Sequence, residues 1–353
     1  MKNICLLLPN LSGGGAQRVL TNLANNFVNH NVSVDLVLVN NKGPYLKSID
    51  KRVNIINLNR GRVLFSIFSL VRYFRVKQPD AVLVTIHHMS IIAIIARMIS
   101  MVDFRLIVRQ PNYLSKTVPQ NHLTRYYLIM VRYMFNKSDG VIGISQGVSD
   151  DLMFNGIKNV RTIYNPLDYR QINNMVYDNN LKVVHPLIIG VGRLEKQKNF
   201  SLLIKAFSII AKNIDAQLLI LGEGSLRDEL EKEVLYLKIS SRVNFLGFVD
   251  NPYLYMRSAD VFVLSSLWEG FGNVIVESLA CGTQVVSTDC PSGPSEILDG
   301  GKYGRLVESD NPKDLAEKII DSINNPMDKK ILIKRSKDFS INKISKKYID
   351  TLL

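Results

Sequence analysis

Cysteine is scarce in this chain of 353 residues, and the three present, Cys5, Cys281 and Cys290, form no C-x-x-C pair. An odd count without pair spacing argues against a disulfide framework. The five histidines show no ligand spacing, so no metal centre is expected. Long apolar runs are missing too. The nearest, Met89 to Met101, is broken by Arg97 and falls short of the roughly 18 residues of a membrane span. Lys2 is followed by an apolar run of only five residues, too short for a signal peptide, which leaves a cytoplasmic location as the expectation.

Glutamate is absent from the whole amino half. The first is Glu195; residues 1–180 carry 21 Lys and Arg against nine Asp, whereas residues 181–353 carry 23 against 22 acids. Nearly all of the net charge of +13 therefore belongs to the amino half, which should face something anionic: nucleic acid, anionic lipid or a phosphorylated substrate. With 46% apolar residues the chain can fill packed cores. Its length exceeds what one core usually serves, so two domains are expected.

What is present centres on Val261 to Leu298. The apolar, β-branched run Val261 to Leu264 reads as a buried strand of a parallel sheet. A turn holding Gly270 and Gly272 follows, then a helical pattern from Val274 to Ala280 that stops at Gly282. A second strand, Gln284 to Ser287, ends in the loop Thr288 to Ser295. A strand feeding a glycine turn and a helix aims backbone N–H groups and the positive end of the helix dipole at one spot, which suits phosphate. Glu269 precedes the turn and Glu277 lies on the helix. Carboxylates would repel a phosphate, but they accept hydrogen bonds from sugar hydroxyls flanking one. That is the chemistry of a nucleotide-sugar site.

The rest reads as alternating strands and helices. Amino-half strands are expected at Asn3–Leu8, Val32–Val39, Val53–Leu58, Ala81–Thr85, Phe104–Arg109, Gly140–Ser145 and Val160–Tyr164. Gly13, Gly14 and Gly15 precede a helix over Ala16–Asn29 and let the backbone approach a ligand; Ala16, Gln17 and Arg18 break the dinucleotide pattern. Arg60 and Arg62 lead into a helix over Val63–Lys77, with Leu64, Ile67, Phe68, Val71 and Phe74 at helical spacing and Arg72 and Arg75 elsewhere on it. A helix over His122–Lys137 places Arg125 and Arg132 on one face among Tyr126, Tyr127, Met130, Tyr133 and Met134. Basic, aromatic-rich amphipathic helices suit the headgroup layer of a bilayer, and these six arginines are the expected membrane contact. His87 and His88 end the fourth strand and Gln110 follows the fifth, at the carboxyl edge where open α/β sheets bind ligands. Asn165-Pro166-Leu167-Asp168 closes the first domain, and the polar residues 169–186 are the expected linker.

Strand–loop–helix recurs from Leu187–Gly192, Gln217–Leu221 and Val243–Leu246. Arg193 and Lys198 follow the first of these strands, a basic pair chemically sufficient to grip a diphosphate. Gly222 and Gly224 follow the second, and Phe248 the third. Further helices are expected at Pro312–Asn324 and Ile341–Leu353.

Glu269-Gly270-Phe271-Gly272 with Glu277, between Ala259-Asp260-Val261-Phe262 and Ala280-Cys281-Gly282-Thr283, resembles the E-x7-E motif of the family-4 retaining glycosyltransferases. The resemblance implies the α/β GT-B fold, two Rossmann-like domains facing each other across a cleft. Residues 1–168 would bind the acceptor and face the membrane, residues 187–333 would bind the donor, and residues 334–353 would form a helix crossing back. It further implies that Glu269 contacts the donor sugar, that Glu277 holds the ribose, and that Arg193 and Lys198 stabilise the departing diphosphate, helped by the amides of Gly270, Phe271, Gly272 and Asn273. Gly13 to Gly15 would lie across from the diphosphate, and the loops with Gly192, Gly222, Gly224 and Phe248 would hold the rest of the nucleotide. Some members carry a histidine where this chain has Gln110, which leaves Gln110, His87 and His88 as candidates on the acceptor side. The loop Pro291-Ser292-Gly293-Pro294 resembles bacterial enzymes of capsule, O-antigen and lipid-linked oligosaccharide assembly.

The expected reaction moves a hexose or N-acetylhexosamine from a UDP-sugar, with retention, to a lipid-linked saccharide at the inner face of the cytoplasmic membrane. No cofactor is expected, and the lack of any D-x-D disfavours a metal-bridged diphosphate. A GT-B epimerase or phosphorylase is the alternative. A nucleic-acid-binding protein would explain the basic half but neither the glycine loops nor the paired glutamates, so nucleic acid is not an expected partner.

Overall fold

Each short apolar run in the amino half becomes a strand of one parallel sheet, as runs covered on both faces should. In chain order the elements are β1 (Lys2–Leu8), α1 (Gly15–Phe27), β2 (Val32–Leu38), β3 (Asn54–Asn57), α2 (Ile67–Lys77), β4 (Ala81–Thr85), α3 (His87–Ser100), β5 (Arg105–Gln110), α4 (Leu114–Thr117), α5 (Thr124–Phe135), β6 (Gly140–Gly143), α6 (Gln146–Phe154) and β7 (Val160–Thr162). The computed structural model describes residues 1–117, 124–174, 184 and 186–353. The strand order is β3-β2-β1-β4-β5-β6-β7, every pair parallel. The chain builds outward from β1 to β3, then returns to build the other way from β4. The carboxyl ends of β1 and β4 are thus the switch point, where a doubly wound sheet leaves room for a ligand.

Helix α1 buries Val19, Leu20, Leu23, Ala24 and Phe27, an apolar stripe at three- and four-residue spacing. The C-terminal helix, Ile341–Leu352, buries Ile341, Ile344, Tyr348 and Leu352 in the same core. It accordingly belongs to the first compact unit, Met1–Pro166 with Ile341–Leu353, and Asn26 Nδ2 donates to Asn342 Oδ1 at 3.0 Å.

The second unit is Leu167–Ser340. It runs α7 (Tyr169–Asn174), β8 (Leu187–Val191), α8 (Phe200–Ile210), β9 (Gln217–Leu221), α9 (Arg227–Tyr236), β10 (Val243–Gly247), α10 (Pro252–Ser258), β11 (Val261–Leu264), α11 (Asn273–Ala280), β12 (Gln284–Thr288), α12 (Pro294–Leu298), β13 (Arg305–Val307), α13 (Pro312–Asn324) and α14 (Lys329–Ser336). Its sheet is also all-parallel, in the order β10-β9-β8-β11-β12-β13, with the switch point between β8 and β11. Ile188, Leu203, Phe207, Leu218, Val261 and Ile319 are among its fully buried core residues.

Several expectations are corrected. His87 and His88 do not end β4: strand pairing stops at Thr85, and both open α3. Val63–Ser66 is a 3₁₀ turn ahead of α2 rather than the first turn of one helix over Val63–Lys77, and Leu64 and Phe68 are 66% and 77% exposed. The buried stripe is centred on Leu70, Tyr73 and Phe74, which turns Phe68 outward. Residues 334–353 are not one helix. Leu167 N–H donates to Phe339 O at 2.7 Å, and Leu167 forms an isolated parallel bridge with Ser340, so the chain must leave helical geometry between α14 and the C-terminal helix. In the expected linker, Tyr169–Asn174 is helical, and the Tyr169 hydroxyl is hydrogen-bonded to Ser336 Oγ. Residues 175–183 and 185 of that linker lie outside the described residues, as does His122, the expected start of α5.

Candidate active site

At the switch point of the second sheet, β8 ends before Gly192 and β11 ends before the loop that carries Glu269. Three hydrogen bonds lace these loops: Leu267 N–H to Gln197 O at 2.9 Å, Gln197 Nε2 to Trp268 O at 2.8 Å, and Ser265 Oγ to Lys198 O at 2.9 Å. The lacing brings Lys198 Nζ to 2.5 Å from Glu269 Oε1, and Ser266 Oγ donates to the same oxygen at 2.6 Å. The two charged side chains are only 16% and 8% exposed. A carboxylate so buried needs a partner, and here both partners fall on Oε1. Oε2 has no hydrogen bond among the described residues and remains an acceptor for a ligand.

Glycines set the walls. Gly222 has φ +136°, and a Cβ there would lie 1.8 Å from Gly192 O, so the loops after β8 and β9 touch backbone to backbone. Gly192 N–H donates to Leu221 O at 2.9 Å, Gly222 N–H to Gly247 O at 2.7 Å, and Leu194 N–H to Glu223 O at 2.9 Å, which extends the array to the loop after β10. Gly224 lies against the Leu194 backbone, and Phe248, just past Gly247, is 77% exposed. On the other side, Gly272 opens α11 at Asn273 with φ 95° and no side-chain cap. The loop after β12 braces this turn: Ser292 Oγ donates to Gly270 O at 3.0 Å, and Gly293 lies directly on Phe271 O. Glu277 is buried in the second turn of α11. The buried Cys290 thiol is pushed up to about 12, first by burial and then by the Glu269 charge; Cys281 rises likewise to about 12, by burial and then Glu277. Arg193 is exposed, in the same loop as Lys198.

In the first unit Gly13 and Gly14, with φ of 118° and 113°, follow β1, while His87 and His88 follow β4. They therefore stand at the carboxyl ends of adjacent strands. Gln110 is the last residue of β5 and is buried. The imidazole of His87 is held below its ordinary pKa by burial and then by His88. Arg60, Arg62, Arg72, Arg75, Arg125 and Arg132 are all exposed. Three also have structural contacts: Arg60 Nε donates to Ser69 Oγ at 3.0 Å, Arg75 donates to the carbonyls of Ser100 (3.3 Å) and Ile99 (3.1 Å) at the end of α3, and the Arg132 guanidinium lies over Gly156. Among the described residues no group of three His, Cys, Asp or Glu side chains could hold a metal, and no helix is long and apolar enough to cross a membrane.

The structure thus joins Lys198, Glu269, Gly192 and the Gly270–Gly272 turn into one site, flanked by Gly222, Gly224 and Phe248, with Glu277 on the helix that follows. Sequence reading missed Ser266, Ser265 and Gln197, because single serines and glutamines have no spacing signal. It also missed that Lys198 is paired with Glu269.

Two doubly wound parallel sheets, with glycine loops and charged side chains at the switch point of the second, make this a GT-B protein. Residues 13–171 match the family described as Glycosyltransferase Family 4, and residues 174–339 match that described as Glycosyl transferases group 1. The chain belongs to this glycosyltransferase family. N-acetylgalactosamine-N,N'-diacetylbacillosaminyl-diphospho-undecaprenol 4-alpha-N-acetylgalactosaminyltransferase of Campylobacter jejuni is 31% identical over 326 residues, 88% of this chain and 87% of its own. A second Campylobacter jejuni enzyme, GalNAc-alpha-(1->4)-GalNAc-alpha-(1->3)-diNAcBac-PP-undecaprenol alpha-1,4-N-acetyl-D-galactosaminyltransferase, is 27% identical and spans 99% of this chain and 98% of its own. The crystal structure of Anabaena HepE with UDP-glucose has the same fold, with a TM-score of 0.81 at 20% identity over 100% of this chain and 99% of that one.

Proposed function

We propose that the second unit binds a UDP-linked hexose or N-acetylhexosamine and that the sugar is transferred, with retention and without a metal, to a lipid-diphosphate-linked saccharide held by the first unit. The observation that carries this reading is the Lys198–Glu269–Ser266 cluster at the switch point, with a cation and a free carboxylate oxygen side by side. The cation suits a diphosphate; the free oxygen suits a sugar hydroxyl. The names of the Campylobacter relatives, which specify undecaprenyl diphosphate acceptors, and the UDP-glucose complex of HepE support the acceptor and donor classes.

In the proposed reaction the acceptor hydroxyl attacks the anomeric carbon on the face from which the diphosphate leaves. The new C–O bond forms as the bond to the phosphate oxygen breaks, and the hydroxyl proton passes to that oxygen, giving UDP. Arg193 and Lys198 stabilise the charge that builds on the leaving group, and the amides of the Gly270–Asn273 turn add dipoles. Glu269 Oε2 orients the donor sugar, and Glu277 receives the ribose hydroxyls.

Docking at the inner membrane face draws support from the apolar residues Leu64, Phe65 and Phe68, exposed at 66%, 61% and 77% beside Arg60, Arg62 and Arg72. Tyr126, Ile129, Met130 and Tyr133 on α5 are exposed in the same way beside Arg125 and Arg132.

The test is a thermal-shift panel of UDP, GDP, ADP, NAD and common UDP-sugars on wild type and Glu277→Ala. A ligand specific to the folded state adds about 2.7 kcal/mol at 100 times its dissociation constant. A shift with UDP and one UDP-sugar, lost in the variant, is the expected result; a shift with NAD alone, or with none, refutes the reading. Transfer that persists in EDTA, and a product whose anomeric NMR coupling matches the donor, check the metal and the stereochemistry. Vesicle flotation with and without anionic lipid checks the docking.

A further inference from the structure

The Gly270-Phe271-Gly272 turn has a single side chain to hold it, because its two glycines have none. That side chain, Phe271, is 2% exposed, so what packs behind it sets where the turn's amides point. Behind it is Phe339, 1% exposed, its ring edge-on to Phe271 with centroids 5.5 Å apart and planes at 66°. A second support comes from the loop after β12 and from α12. Gly293 has φ +66°, and a Cβ there would lie 1.9 Å from Phe271 O, while the fully buried Ile297 places Cδ1 3.8 Å from where a Gly272 Cβ would stand.

Both supports lead to one guanidinium. Arg335, near the end of α14, donates from Nη2 to Glu296 O at 2.8 Å and from Nε to Ile297 O at 2.9 Å. A helix leaves its last carbonyls without helical donors, and α12 is only five residues long, so these two need an outside partner. The same guanidinium lies over the rings of Phe339 and Tyr303, each centroid 5.1 Å away, and Nη1 donates to Asp338 Oδ2 at 3.2 Å. Arg335 thus grips the helix that carries Ile297 and flanks the ring that backs Phe271. A planar fork suits both tasks, whereas an ammonium has no flat face to set against the rings. The backbone of Phe339 is pinned as well: Leu167, where the chain enters this unit, donates its N–H to Phe339 O at 2.7 Å, one residue before the chain leaves it at Ser340.

We propose that Arg335 and Phe339 are positioning residues for the Gly270–Gly272 turn, holding it from behind so that its amides and the start of α11 face the diphosphate of the donor. Neither residue touches the ligand; Phe339 acts through the Phe271 ring, and Arg335 through Phe339 and α12. The inference rests on the reading of the second unit as the donor side.

The test titrates UDP and uridine into the whole chain and follows the fluorescence of Trp268, its single tryptophan. Uridine lacks the diphosphate, so the ratio of the two dissociation constants isolates the turn, while the uridine value alone reports the rest of the nucleotide site. Phe339→Leu and Arg335→Met are each expected to lower the preference for UDP at least tenfold, with uridine binding within twofold of wild type. Arg335→Lys separates geometry from charge and is expected to behave like Arg335→Met. Any of the three that folds and loses less than tenfold in preference overturns the proposal, as does an equal fall in the affinities for both ligands. If the wild-type chain binds UDP no better than uridine, the donor reading fails by itself. Hydrogen exchange at the start of α11, where Ile275 N–H donates to Gly272 O at 2.9 Å, then decides this one: an unchanged rate in Arg335→Met refutes it.

Discussion

Lys198→Met gives the sharpest test of the site. The ammonium lies 2.5 Å from Glu269 Oε1, with side-chain exposures of 16% and 8%, so its removal leaves a buried carboxylate supported only by the Ser266 hydroxyl. Breaking a buried pair from one side costs about 3–5 kcal/mol, and the residual access of Lys198 to water puts this case near the lower end. Glu269→Gln leaves no buried charge uncompensated, because Lys198 can turn to solvent, and should cost ~1 kcal/mol. The double variant should resemble Glu269→Gln, giving a coupling of ~3 kcal/mol in a double-mutant cycle. For a unit of this size 3 kcal/mol corresponds to a fall of ~6–12 °C in Tm. Trp268 is the chain's single tryptophan and the immediate neighbour of Glu269, so its fluorescence during urea unfolding reports this unit alone. A loss below ~1 kcal/mol for Lys198→Met, with additive single effects, would refute the view that these groups sustain each other.

Arg193 is exposed, so Arg193→Ala should leave Tm unchanged yet reduce kcat/KM by 10²–10³, about 3–4 kcal/mol of lost transition-state stabilisation; a loss below tenfold removes it from the mechanism. Gly222→Ala combines φ +136° with a 1.8 Å clash against Gly192 O and should cost more than ~2 kcal/mol and abolish the UDP-induced thermal shift, whereas Gly61→Ala, in open space, should change neither. His87 and His88 both have folded pKa values depressed by burial, so the unfolded chain binds the extra proton and stability falls as pH drops through the unfolded value near 6.5. Urea midpoints at pH 7.5 and 5.5 should therefore diverge less in His87→Ala/His88→Ala than in wild type.

The strands were legible because parallel sheets covered on both faces leave continuous apolar runs, and β4, β9 and β11 fall where the runs predict. β13 was not, since Arg305–Val307 is three residues with a charged start, too short for a periodic signal. The glycine loops and both glutamates were legible in position, after the strands and before or within the helices that follow. Their neighbours were not: Gln197 and Ser265 reach the site through hydrogen bonds that only the folded register creates. The start of α2 shows the converse failure, since the helix expected from Val63 begins at Ile67. Helical spacing locates an apolar stripe but not its phase, and a 3₁₀ turn at Val63–Ser66 disrupts the count.

The place of the C-terminal helix in the first core has a consequence for synthesis. Arg109 is made long before Tyr348, one of its three side-chain partners and 239 residues further along the chain, and Ile344 and Leu352 seal the same core as α1. Residues 167–340 can leave the ribosome and close their own sheet while the amino-terminal unit still lacks a wall. The usual order, in which the domain made first matures first, is inverted. Until residues 341–352 emerge, the nascent chain carries an open apolar face and a guanidinium without its full set of partners. That interval is when chaperones have something to hold.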